Sequence, residues 1–196
     1  MELSVERAAD MRQFGELLGR LLHGGDLIML NGPLGAGKTT LTQGIARGMG
    51  VRARVVSPTF VIAQVHHSAG DGPDLVHVDA YRLNSLEELD ALDLDASLED
   101  SVTVVEWGEG KVEVLTPDRL VISITRAEGG DPLDVDTPRT VGIEASGPRS
   151  RDLLAGLAAG ARGVAAFSGL PAQQHRGEMA DQARATGGSE QARETP

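Results

Sequence analysis

Gly32-Pro33-Leu34-Gly35-Ala36-Gly37-Lys38-Thr39-Thr40 constrains this chain more than any other stretch. It sets the pattern G-x-x-x-x-G-K-[ST] between an apolar run, Leu27-Ile28-Met29-Leu30, and a segment whose Leu41, Ile45 and Met49 fall at i, i+4 and i+8. Without that context the pattern would be an ordinary glycine-rich turn; strand, loop and amphipathic helix in this order make it a phosphate-binding loop. A cradle for phosphates needs consecutive backbone N–H groups turned inward, and Gly32, Gly35 and Gly37 supply backbone without a Cβ at the tight positions. In such a loop Lys38 reaches the β- and γ-phosphates and Thr39 gives its hydroxyl to a magnesium ion. The helix start adds the positive end of its dipole.

The chain has 196 residues, enough for one domain with a substantial core. Its formal net charge of −11 argues against a large nucleic-acid footprint of its own, so any RNA connection is expected to run through partners. With no cysteine there are no disulfides and no cysteine–zinc sites. No apolar run approaches membrane-spanning length and Met1-Glu2-Leu3-Ser4-Val5-Glu6 lacks a signal-peptide pattern, so the expectation is a cytoplasmic protein with no membrane contact.

Taken in order, Ser4 reads as the N-cap of a helix carrying Phe14, Leu17, Leu18, Leu21 and Leu22 on one face and ending at Gly24-Gly25. After the phosphate-loop helix, Ser57-Pro58-Thr59-Phe60 reads as an extended loop. Thr59 there is either an ordinary loop residue or a γ-phosphate sensor. Val61 to Val65 reads as a strand, with His66 and His67 exposed at its end rather than binding metal.

Two apolar runs each end in an acid: Leu75-Val76-His77-Val78-Asp79 and Val102-Thr103-Val104-Val105-Glu106. Both read as buried parallel strands, whose carboxyl ends are where ligands sit in open α/β sheets. Asp79 and Glu106 then either cap the next helix or turn, or divide two tasks, one holding the magnesium ion and the other orienting the attacking water. Between them a helix starting near Ser85 turns Leu86, Leu89 and Leu92 inward, and seven acids with no base stand between Leu86 and Asp100. That run is a solvated face or a docking surface for a basic partner. Trp107 is core or a platform beside the nucleotide.

Leu120 to Thr125 and Thr140 to Glu144 form a C-terminal antiparallel hairpin around an exposed loop from Glu128 to Pro138. A helix over about 149–159 comes next, and from Gly160 the composition predicts a disordered tail, giving a domain over 1–159 and a tail over 160–196. The fold class is α/β, a three-layer P-loop NTPase type with a mostly parallel central sheet flanked by helices.

The phosphate loop, Ser57-Pro58-Thr59-Phe60, His77-Val78-Asp79-Ala80-Tyr81-Arg82-Leu83, Glu87-Glu88-Leu89 and Val105-Glu106-Trp107 together resemble the bacterial TsaE (YjeE) family in order and spacing, over about residues 3 to 158. The resemblance implies an ATP- and Mg2+-dependent ATPase that works with TsaB and TsaD to make threonylcarbamoyladenosine in tRNAs reading ANN codons, touching tRNA indirectly through that complex. Carried over by position, it makes Lys38 the phosphate lysine, Thr39 and Glu106 the magnesium ligands and Asp79 a second acid at the γ-phosphate. It also gives Thr59 a switch-like role and Trp107 a place beside the nucleotide. Phe60 stands where many relatives have Tyr and Ala80 where many have Leu, and Ala8-Ala9 leave unfilled an N-terminal polar contact that the family often makes.

The competing class is a P-loop small-molecule kinase, which shares the loop and the acids. Kinases add a lid with phosphate-clamping arginines, and Arg52 and Arg54 are few for that task. A GTP switch is disfavoured because no Asn-Lys-x-Asp motif occurs. A scaffold with a vestigial site and self-association stay open alternatives. No arginine finger in cis is evident, which predicts slow turnover without a partner.

Overall fold

The computed structural model describes residues 1–83, 85–126, 137–162, 164 and 167–169. In chain order the elements are β1 (Glu2–Val5), α1 (Ala8–Gly19), β2 (Leu27–Asn31), α2 (Lys38–Gly48), β3 (Ala63–His66), β4 (Asp74–Asp79), α3 (Leu86–Asp90), α4 (Asp95–Leu98), β5 (Ser101–Glu106), β6 (Arg119–Arg126), β7 (Arg139–Ala145), α5 (Pro148–Ala161) and β8 (Phe167–Gly169). The strands form one sheet in the order β3-β4-β5-β2-β6-β7-β1-β8. Its four central strands, β4, β5, β2 and β6, run parallel. Antiparallel strands flank them on both sides, including the expected β6–β7 hairpin.

The apolar runs are continuous because both sheet faces are covered, and alternate residues serve alternate layers. Ile28, Leu30, Val102 and Val104 face one side, packed with Phe14, Leu18, Leu41, Ile45 and Leu157 of α1, α2 and α5. Leu27, Met29, Val76, Val78 and Val105 face the other, covered by Leu83, Leu89, Leu94 and Val112. The result is the three-layer arrangement the alternation of elements predicted.

Helices α1 and α2 meet through glycines spaced as Gly15-x-x-x-Gly19 and Gly44-x-x-x-Gly48. A Cβ on Gly44 would stand 2.3 Å from the Arg12 carbonyl oxygen, and one on Gly19 would stand 2.2 Å from that of Ile45. This backbone-to-backbone approach fixes α2, and with it the phosphate loop at its N-terminus. Gly44→Ala gains up to about 1 kcal/mol of helix propensity, but forces the helices apart at a cost of about 3 kcal/mol. The net expectation is a melting temperature lower by roughly 5 °C or more, and of steeper loss for Gly44→Val. A thermal melt unchanged within about 2 °C would show that the helices part freely.

Several boundaries differ from the sequence reading. Ser4 is not a helix cap: it lies in β1, paired with Thr140 of β7, and Arg7 takes the N-cap position. A four-residue strand with no turn signal before a helix leaves no pattern to read. Helix α1 stops at Gly19, well before Gly24-Gly25. Val61 and Ile62 are spent on a turn, both donating to the Pro58 carbonyl, so β3 begins at Ala63. His66 is buried, not exposed, with its ring centroid 6.4 Å from that of His77, while His67 is exposed. Helix α5 runs to Ala161, two residues past the expected helix end, and Phe167–Gly169 pairs with β1. Residues 128–136 of the expected hairpin loop and 163, 165, 166 and 170–196 of the expected tail lie outside the described residues.

Candidate active site

Three parallel strands end side by side, and their C-terminal residues build one cleft. Asp79 at the end of β4 is in register with Glu106 at the end of β5, and Glu106 with Leu30 of β2. The phosphate loop leaves β2 just beyond Asn31. Gly32, Gly35 and Gly37 have φ of 144°, 75° and 112°, conformations that residues with a Cβ rarely adopt. At Gly32 space also forbids one, since a Cβ would meet the Ile124 carbonyl oxygen at 2.4 Å. The cleft holds about 550 Å³.

Lys38 is 5% exposed and its ammonium donates to the carbonyls of Gly32 at 2.7 Å and Pro33 at 3.1 Å. The Trp107 ring covers it, with Nζ 3.9 Å from the ring centroid. Burial holds this lysine below its ordinary pKa, while Glu106 and Asp79 pull the other way. Thr39 donates from Oγ1 to Glu106 Oε1 at 2.9 Å. His77 Nε2 reaches the same oxygen at 3.0 Å, and its ring is fully buried. The two acids differ in their partners. Asp79 Oδ1 accepts from the Tyr81 backbone N–H at 3.1 Å, the capping role that a strand-end acid often fills. Its Oδ2 faces the cleft and accepts from Thr59 Oγ1 at 2.8 Å. Glu106 instead gives Oε1 to both Thr39 and His77.

Trp107 adopts φ 60°, an uncommon conformation for a residue with a Cβ, held by its N–H bond to the Leu30 carbonyl. The same turn sets its ring against Lys38 and 5.3 Å from the Tyr81 ring centroid. Trp107 is therefore a wall of the cleft rather than core.

The structure thus gathers Lys38, Thr39, Thr40, Thr59, Asp79, Glu106 and Trp107 with the phosphate loop around one space, although Thr59 lies 20 residues from Asp79 and Thr39 lies 67 from Glu106. Sequence reading missed Arg139, which is buried and donates from Nε to the Ala36 carbonyl at 2.9 Å, bracing the loop from β7. Its only sequence signal is an arginine opening an apolar strand. It also missed Met11 and Arg12, which α1 brings to the rim, and His77 as the partner of Glu106. Ala8 does line the cleft, at the end where a polar contact was looked for.

The donor set suits a hard cation and a polyphosphate. A threonine hydroxyl and a carboxylate 2.9 Å apart offer oxygen ligands only, the chemistry of magnesium, which keeps water and phosphate oxygens in its other positions. Among the described residues no group of three or more His, Cys, Asp or Glu side chains could hold a metal by itself.

Fold and site together define a P-loop protein of the α/β nucleotide-binding class. The family described as "Threonylcarbamoyl adenosine biosynthesis protein TsaE" matches residues 5–131. The chain belongs to the TsaE family. A protein of Streptomyces coelicolor named tRNA threonylcarbamoyladenosine biosynthesis protein TsaE is 67% identical over 120 residues, covering 61% of this chain and 81% of that protein. One of the same name from Mycobacterium tuberculosis is 48% identical over 135 residues, covering 65% and 80%. Among solved structures, Bacillus subtilis YdiB superposes with a TM-score of 0.63 at 30% identity, covering 82% of this chain and 95% of that one.

Proposed function

We propose that this protein is the ATP-hydrolysing component of the machinery that makes threonylcarbamoyladenosine in tRNA, acting with TsaB and TsaD on tRNAs that read ANN codons. The observation that carries the chemistry is the Thr39–Glu106 contact beside the buried Lys38 ammonium, with Asp79 and Thr59 paired across the cleft. The pathway rests on the names carried by relatives at 67% and 48% identity.

In this reading Lys38 holds the β- and γ-phosphates, and the N–H groups of Gly35 to Thr40 line the cradle. Thr39 and Glu106 would hold the metal, with Asp79 as the second acid of the site. A magnesium ion bound there supplies positive charge to the phosphate oxygens. His77 fixes the Glu106 carboxylate, and Asp79, steadied by Tyr81 and Thr59, orients the water that attacks. Trp107 closes the wall over Lys38. Gly32 and Pro33 lend their carbonyls to the lysine until phosphate arrives. Arg139 is already engaged by the Ala36 carbonyl, so turnover by the isolated protein should be slow. Leu34, Phe60 and Val61 are exposed large apolar residues on the loops bordering the cleft, a fit for a protein partner that completes the site. No described helix is long and apolar enough to cross a membrane. A role in tRNA modification fits a cytoplasmic protein.

The test is steady-state nucleotide turnover by the full chain, alone and with TsaB and TsaD, with ATP and with GTP. Hydrolysis of ATP that rises with both partners is the expected result. Phosphoryl transfer seen only when a small acceptor is supplied would replace this reading with the kinase.

A further inference from the structure

The net charge of −11 hides a segregation of charge that the fold makes visible. The seven acids between Leu86 and Asp100 belong to α3, α4 and their connections, on the sheet face that carries Leu89 and Leu94. The opposite face carries α1 and α2. Between Arg7 and Val55 the chain has seven basic residues and three acids. Each of those acids is already paired: Asp10 with Arg7, Glu16 with Arg47, and Asp26 with Arg149.

Beside the nucleotide cleft lies a second cleft of about 410 Å³, into which α1 contributes Arg12, α2 contributes Arg47, and the loop after α2 contributes Arg52 and Arg54. Among the described residues no acid lines it. The side chains of Arg12, Arg52 and Arg54 make no hydrogen bond or ion pair among the described residues. Their presentation is built into the fold. Val51 is buried and its N–H donates to the Ala46 carbonyl; Val55 is buried and its carbonyl accepts from Gln43 Nε2 at 3.1 Å. With both ends pinned, Arg52 and Arg54 are held outward on the same short loop.

We infer that this arginine cleft binds the phosphodiester backbone of RNA directly. Guanidinium forks suit phosphate oxygens bidentately, and three of them without protein partners among the described residues leave that capacity unused. No described aromatic residue lines the cleft, so it offers no platform for stacked bases and reads backbone rather than sequence. It also lacks the aromatic anchors of a protein-docking core, whereas Leu34 and Phe60 are exposed on the loops that border the nucleotide site. The choice of RNA among polyanions rests on the tRNA-modification reading above. The placement gives the contact a consequence. Arg12 lines both clefts, and Arg54 is followed closely in the chain by Ser57 and Thr59, the hydroxyls that bond to Asp79. RNA on the arginine loop therefore bears on the segment that faces the γ-phosphate.

The experiment measures binding of a fluorescently labelled, unmodified transcript of a tRNA reading ANN codons to the full chain across a salt series. The wild type is compared with Arg52→Glu/Arg54→Glu and with Arg52→Ala/Arg54→Ala. The expected result is saturable binding that the glutamate pair weakens about tenfold or more. The alanine pair should lower the log–log salt slope by roughly 1.4 to 1.8, two phosphate contacts' worth. Both side chains are exposed and outside the nucleotide cleft, so ATP binding and melting temperature should not move. Transcript binding that is absent, or equal in all three proteins, would overturn the inference. So would Arg52/Arg54-dependent binding of an acidic peptide with no binding of RNA, which would make the cleft a protein-docking face. RNA binding with no ATP turnover even when TsaB and TsaD are present would sink the proposed function and leave this site standing.

Discussion

Glu106→Gln should leave the protein folded and reduce ATP turnover by about a hundredfold or more. The glutamate is 3% exposed and one oxygen, Oε1, takes the Thr39 hydroxyl at 2.9 Å and faces His77 Nε2 at 3.0 Å. Glutamine has nearly the same volume, so no cavity opens, and its amide oxygen can accept both bonds. The negative charge is lost, and an NH2 group replaces the second carboxylate oxygen. Removing a buried partner outright is the worse perturbation: in Glu106→Ala, Thr39 and His77 would both lose their acceptor, at about 1–3 kcal/mol for each unsatisfied group. His77 Nδ1 already lacks a partner among the described residues, so losing the Nε2 bond would leave the buried ring with none. Turnover and melting temperature of the two variants separate the effects. Loss of turnover in Gln with an unchanged melt assigns the role to charge at the metal. Turnover in Gln within about twofold of the wild type would remove Glu106 from the chemistry and return it to a structural part. Recovery at raised magnesium concentration would point to affinity for the ion rather than to the water.

The contrast between what the sequence disclosed and what it withheld tracks the range of the interactions. The phosphate loop is a local device: its glycines, lysine and threonine are consecutive, and their chemistry is forced by positive φ and inward N–H groups. Asp79 and Glu106 were legible because each ends an apolar run, and parallel strands put their carboxyl ends together. Arg139 was not, because it reaches the Ala36 carbonyl across 103 residues through the register of an antiparallel hairpin that no local pattern encodes. His77 sits mid-strand in an apolar run, where a histidine reads as one more core residue until the neighbouring strand sets Glu106 against it. The Gly15–Gly19 and Gly44–Gly48 contact has a spacing that sequence carries, but helix propensity alone would count those glycines as weaknesses. The arginine cleft was masked by a sum: a net charge reports no geometry, and acids on one sheet face do not neutralise arginines on the other.

Lys38→Ala should weaken ATP binding by about tenfold to a hundredfold, in line with about 1.5–3 kcal/mol for bonds to a charged group, while the ligand-free protein melts within a few degrees of the wild type. The fold tolerates the loss for an electrostatic reason. Burial depresses the Lys38 pKa in the folded protein below 10.5, so the ammonium is costlier there than in the unfolded chain. The sign comes from proton binding: between the folded pKa and 10.5 the unfolded chain holds the extra proton, so stability rises with pH across that window. Below the window the buried charge is a net expense, and alanine removes it, offsetting the bonds to the Gly32 and Pro33 carbonyls, which water in the open cleft can replace. Phosphate reverses the balance, because a bound polyanion stabilises the charged lysine. Wild-type affinity should therefore fall as pH climbs toward 10.5, earlier than an ordinary lysine would dictate, and the alanine variant should lack that fall. The readout is melting temperature with and without ATP and magnesium. Saturating ligand at about a hundred times Kd adds about 2.7 kcal/mol to the wild type. At the same concentration the variant should keep only about 0.4–1.4 kcal/mol of that increment. An equal thermal shift in both proteins would show that the lysine is not the phosphate ligand, and a ligand-free variant that fails to fold would show that its two carbonyl bonds hold the loop closed.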